Sequence, residues 1–238
     1  MAQVSYPLYI IFGTLPSIIW LLFYLKRDVH PESNKMVLKI FFLGMLVALP
    51  AVFLEIEIFK FFGLFHFSPF LLAVLNTFIG VALVEEFLKY LVVRNQVLKH
   101  PECDEPIDVM LYMIISALGF AALENILILF QLGPGFLWGR MLEVSIFRFA
   151  GATVLHALAS GTIGYFLSLS FYKKEARIKF VALGLVIATI LHGFYNLFIM
   201  RGGENLRIFG PLLILAGLAI FVAFAIKKLQ RISKIAKI

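Results

Sequence analysis

Seven apolar runs, each near the length needed to cross a bilayer, dominate this chain, at approximately 5–25, 37–59, 69–93, 108–131, 141–171, 180–200 and 208–226. A hydrocarbon core of ~30 Å takes about 20 helical residues. Inside lipid every backbone polar group must find its partner within the protein, so such runs fold as helices. The 238 residues are 62% hydrophobic and include 26 Phe, against roughly 45–50% apolar content in soluble domains. A soluble fold would have to expose much of that surface. The expected class is all-α: a polytopic membrane helical bundle of about seven transmembrane helices, one integral membrane domain over 1–238, multi-pass in the cell membrane. The second run is the least clean, because Glu55, Glu57 and Lys60 crowd its far end. The fifth is overlong, which predicts a tilt, a kink or an interfacial stretch.

Basic residues set the expected orientation. With the N-terminus outside, the inside loops and tail hold 15 Lys and Arg, from Lys26 and Arg27 through Lys173 and Lys174 to Lys227 and Lys237. The outside segments hold four: Lys60, Arg140, Arg201 and Arg207. That bias predicts the N-terminus outside and the C-terminus inside. The net charge of +7 is then mainly a topology signal, and the tail after Lys227 can also touch anionic lipid. The basic residues form no single stripe, so the lipid bilayer is an expected partner and nucleic acid is not. Cys103 is the one cysteine and can make neither an intrachain disulfide nor a metal cluster. The first apolar run has no basic segment before it and reads as a retained helix, not a cleaved signal peptide. The two halves show no internal repeat, which counts against transporters built by duplication.

Five ionisable side chains lie deep inside these runs: Glu85, Glu86, Glu124, His156 and His192. A charge at mid-bilayer costs at least ~2.5–3.5 kcal/mol, so such groups mark a task or a partner. On a helix Glu85 and Glu86 stand one and nearly one turn before Lys89. Adjacent residues point about 100° apart, so one carboxylate is expected to face a cavity while the other pairs with Lys89. Burial and a neighbouring cation then tune a general base. His192 and Asn196 share a helix face and can converge on one point, as an oxyanion clamp or as a metal ligand with its orienting neighbour. Glu124, followed by Asn125, can bind a metal, hold a water or pair with Arg148 or Lys89. Arg148, Ala152, His156 and Ser160 follow at successive one-turn steps, among small residues that let helices approach closely.

Other hydrolytic chemistries fit poorly. Leu158-Ala159-Ser160-Gly161 lacks the Gly-x-Ser-Gly string of rhomboid proteases, so Ser160 reads as packing. A His-Glu-x-x-His zinc motif is missing. Asp28, Asp104 and Asp108 lie in or beside loops and supply no intramembrane aspartate pair. A proton- or cation-coupled transporter using the same carboxylates and histidines is the rival reading. A membrane scaffold without chemistry is a third.

The strings Glu85-Glu86-x-x-Lys89, Gly119-Phe120-Ala121-Ala122-x-Glu124-Asn125, His156-Ala157-x-x-Ser160 and His192-x-x-x-Asn196 resemble, in order and spacing, those of the PrsW-family intramembrane proteases. The Glu-Glu and His-x-x-x-Asn elements are also similar to those of the type II CAAX prenyl proteases. The resemblance covers roughly 80–200 and implies a protease core over about 69–200. It implies a multi-pass endopeptidase that cuts a membrane-anchored protein, such as an anti-sigma factor in regulated proteolysis. Two mechanisms stay open: a metalloprotease, with a divalent metal such as zinc on Glu124, His156 and His192, or a glutamate-activated water. In both, Glu85 or Glu86 is the expected base, and Glu124 and His156 position the water or metal. His192 and Asn196 stabilise the oxyanion, while Lys89, Asn125 and Arg148 support the site.

Overall fold

A computed structural model describes residues 6–27, 30–131, 133, 138–171 and 173–236. Asp28 and Lys237 lie outside the described residues. Among the described residues nine α-helices follow one another: α1 Tyr6–Leu25, α2 Asn34–Gly63, α3 Pro69–Leu75, α4 Val84–Gln96, α5 Pro106–Gln131, α6 Trp138–Ala150, α7 Ala152–Leu169, α8 Arg177–Arg201 and α9 Glu204–Ala236. They group into seven spans long and apolar enough to cross a membrane, among the described residues. The protein is a multi-pass helical membrane protein. Side chains such as Phe53, Phe147, Leu213 and Phe224 stand exposed on its outside, as a surface facing lipid tails requires.

Local sequence accounts for the helix ends. Ser33 caps α2, its hydroxyl accepting from the Met36 amide at 3.2 Å. Ser68 does the same for α3 from the Leu71 amide, with Pro69 in the first helical turn, where its missing N–H costs nothing. α5 is the hub of the bundle. It packs on α1, α2, α4 and α7, and 72% of its most apolar window is buried, against about a third or less for the other spans. Two glycines let α2 and α5 touch along their backbones. A Cβ on Gly119 would strike the Phe41 carbonyl, and one on Gly44 would strike the Ser116 carbonyl. In lipid, where helices gain little from apolar burial, such close approach supplies much of the attraction.

Two spans are not regular α-helices throughout, one against expectation and one as its length predicts. The third holds a π-helical stretch, Asn76–Leu83, directly before the two glutamates. This wider turn sets the Phe78 ring against α8 where residue 193 is glycine; a Cβ there would come within 2.5 Å of the ring. The fifth span breaks at Gly151, whose φ of −111° and ψ of −92° separate α6 from α7. The overlong run at 141–171 is therefore a kinked pair of helices. Tyr195 fills the kink, its hydroxyl 2.5 Å from where a Gly151 Cβ would stand.

Candidate active site

Glu85, Glu86, Glu124, His156 and His192 meet at one place, between α4, α5, α7 and α8. Lys89 is at the middle, fully buried. Its ammonium donates to Glu85 Oε2 at 3.1 Å and Glu86 Oε1 at 2.8 Å, and lies 2.8 Å from His156 Nδ1. It also sits 4.2 Å from the centroid of the Phe120 ring. An ammonium has three donors and no acceptor. Nδ1 of His156 must therefore accept, which leaves the ring proton on Nε2. That nitrogen donates to Glu124 Oε2 at 2.8 Å. The same oxygen accepts from Arg148 Nη2 at 2.6 Å. The kink at Gly151 thus leaves Arg148 and His156, on either side of it, converging on one carboxylate. Arg148 Nε also donates to Asn125 Oδ1. Asn125 in turn donates to the Gly13 carbonyl and to Thr153, tying α1, α5 and α7 together.

The two adjacent glutamates are not equivalent. Glu86 accepts from Lys89 and from His192 Nδ1, at 3.1 Å, on Oε1, and from Ser160 Oγ, at 2.5 Å, on Oε2. Three donors hold it. Glu85 accepts only from Lys89 among the described residues. His192 Nε2 lies 4.0 Å from Glu85 Oε2, and His156 Nδ1 lies 3.6 Å from it. The expectation that Lys89 pairs with one glutamate and leaves the other facing a cavity needs correction: Lys89 bonds both, and the difference between them comes from His192 and Ser160. Ser160 is also more than packing, because its hydroxyl reaches the carboxylate of Glu86.

Ligand atoms of Glu85, Glu86, His156 and His192 all lie within 4.8 Å of one another. Two carboxylates and two imidazoles form a donor set suited to a divalent metal. This group shares its two histidines with the expected set of Glu124, His156 and His192, while Glu124 hydrogen-bonds the edge of the His156 ring opposite Lys89. Asn196 is half-buried one turn beyond His192, and its side chain makes no hydrogen bond among the described residues.

Burial gives the site a direction. The side chains of Glu85, Glu86, Lys89, His156 and His192 are at most 5% exposed, whereas Glu124 is 28% exposed and Arg148 15%. The cluster is least covered on the Glu124 side. Glu55 belongs to the same region. It lies in electrostatic reach of Glu85, Glu124 and Lys89, and its side chain makes no hydrogen bond or ion pair among the described residues. From sequence it was only a charge crowding a span end. Its spacing of four and seven residues from Ala51 and Ala48, which pack on Phe120, is the signal that places it on the inward stripe of α2. Tyr195, buried at the kink, is a second residue that sequence reasoning passed over.

Carboxylates and imidazoles gathered inside a polytopic bundle suit an intramembrane hydrolase or a proton-coupled transporter, and sequence similarity separates the two. Residues 32–226 match the family described as PrsW family intramembrane metalloprotease. The chain is 33% identical to protease PrsW of Bacillus subtilis over 191 residues, 77% of this chain and 78% of that one. It is 30% identical to protease PrsW of Oceanobacillus iheyensis over 190 residues, 80% and 81% of the two chains. For protease PrsW of Geobacillus kaustophilus the identity is 32% over 174 residues, 73% and 71%. This chain belongs to the PrsW family of intramembrane proteases. No solved structure matches it significantly. The transporter reading gains no support from any of these similarities.

Proposed function

We propose that this peptidase cuts a membrane-anchored protein, with Glu85 as the general base that takes the proton of the attacking water. The observation that carries the choice of Glu85 over Glu86 is the hydrogen-bond count: Glu86 is held by three donors and Glu85 by one. A carboxylate with spare acceptor capacity can take a water and its proton. Glu86 then serves as the fixed anion that orients His192 and balances Lys89.

Glu124 holds His156 in the tautomer with its proton on Nε2, and Arg148 fixes Glu124. His192 and the free amide of Asn196 are the proposed donors to the oxyanion of the tetrahedral intermediate, once His192 carries a proton on Nε2. The metal form is an alternative to that donor role: a divalent metal, zinc among the candidates, would be held by residues of the group Glu85, Glu86, His156 and His192, with His192 giving it the Nε2 lone pair in place of the oxyanion contact, and would supply Lewis-acid polarisation of the scissile carbonyl and of water. The protease core is proposed to span about 69–200, with the N-terminus outside and the C-terminus inside, as the basic bias suggests. An anti-sigma factor with a single membrane anchor is the first substrate to try.

The test is the purified protein in liposomes with a membrane-anchored reporter, with and without chelator, alongside metal analysis. The reading predicts reporter cleavage that chelation abolishes and zinc restores. Cleavage unaffected by chelation in a metal-free protein would leave the glutamate-activated water alone. Ion flux without cleavage would overturn the proteolytic reading of the site.

A further inference from the structure

Away from this site, a cleft of about 350 Å³ lies between α1 and α9, within the size range of small-molecule sites. α7 forms its floor through Val154 and Leu158. Trp20, Phe23, Tyr24 and Arg27 line one wall at helical spacing, and Val222, Ile226, Lys227 and Gln230 are among the residues lining the other. The cleft is apolar along its length and cationic at one end. Arg27 and Lys227, both exposed, stand at that end. Gln230 Nε2 donates to the Arg27 carbonyl at 2.6 Å and fixes the two helices there. Lys227 makes no ion pair among the described residues. Its neighbour Lys228 is held aside by the Tyr165 hydroxyl at 2.9 Å.

We infer that this cleft is a binding site for one anionic phospholipid, its phosphate between Arg27 and Lys227 and an acyl chain along the apolar wall. Three features favour a lipid over other occupants. The cleft is a groove on the outside of a membrane bundle, so lipid is the solvent that meets it. Its two cations stand together at one end, where α1 finishes, as a headgroup between helices requires. Trp20 and Tyr24 are the amphipathic rings enriched at membrane interfaces. The floor lends the site a consequence, since Val154 and Leu158 flank His156 on α7. A seated lipid would brace the helix that carries that histidine.

The experiment is native mass spectrometry of the full chain in detergent, titrated with phosphatidylglycerol or phosphatidylcholine of identical acyl chains. One phosphatidylglycerol is expected to bind in preference to phosphatidylcholine. Each charge near a membrane surface contributes about fivefold, so the R27Q/K227Q double variant should lose roughly 30-fold of that preference. K35Q/K39Q removes the same charge from the start of α2 and should keep the preference. A219W fills the cleft without changing charge and should displace the bound lipid, which keeps the test open if the double variant folds poorly. Equal binding of both lipids, a preference that survives R27Q/K227Q or A219W, an equal loss in K35Q/K39Q, or a second copy of the chain held in the cleft would each overturn the inference.

Discussion

Lys89 Nζ lies 2.8 Å from Glu86 Oε1 and 2.8 Å from His156 Nδ1, so one side chain joins the third span to the fifth. Breaking a buried pair by removing one partner typically costs about 3–5 kcal/mol, because the remaining charge is left uncompensated. Lys89→Met should therefore lower thermal stability in detergent by a clear margin and reduce protein level in the membrane. A Lys89→Met variant that melts with the wild type would show that the glutamates need no internal cation.

Glu124 acts on His156 from behind the ring. Glu124→Gln keeps an acceptor for the Nε2 proton but removes the charge that Arg148 holds. Losses of outer partners of this kind typically cost about 10–100-fold. The expected result is a fall of that order in turnover with intact folding, and a larger fall for Glu124→Ala, which also frees the tautomer. Equal rates for Gln, Ala and wild type in a reporter-cleavage assay would remove Glu124 from the account.

The contact of α2 with α5 rests on glycine at 119. Gly119→Val places a side chain on the Phe41 carbonyl and must part the two helices. Overpacking typically costs about 1–3 kcal/mol, and a clash with backbone allows little relief. The variant should show reduced thermal stability and lowered activity together, because Glu124 lies little more than one turn further along α5. Wild-type melting would contradict the close approach.

Cys103, in the loop between α4 and α5, has its thiol pushed up to about 12 by burial and then by the carboxylates of Asp108, Glu32 and Asp104. The thiolate is the reactive form, so little is present at pH 8. Iodoacetamide should label the native protein slowly at pH 8, speed up as pH rises toward 12, and label the denatured chain quickly at pH 8. Rapid native labelling at pH 8 would show that the loop is open.

The span count and the gathering of Glu85, Glu86, Glu124, His156 and His192 were legible because lipid penalises a lone charge so heavily that polar residues in apolar runs must find one another. The metal-donor geometry was not. Whether Glu124 or Glu85 falls within reach of both histidines depends on helix rotation, and a π-helical stretch and a break at Gly151 alter that rotation in two of the four spans. Glu55 was hidden for a related reason. Position near a span end looked sufficient to explain its charge, while its inward direction comes from the packing of Ala48 and Ala51 on Phe120. The inequality of Glu85 and Glu86 depends on Ser160 and His192, more than 70 residues away in the chain.

The initial rate at which Glu85→Gln cleaves a membrane-anchored reporter, compared with wild type at equal folded protein, tests the central claim most directly. Gln keeps the shape of Glu and can still accept from Lys89, but it cannot take a proton from water. Loss of a positioned base typically lowers the rate by ~10²–10⁴-fold, and that fall is expected here with melting temperature unchanged. Cleavage by Glu85→Gln at the wild-type rate would contradict the assignment of Glu85 as the base.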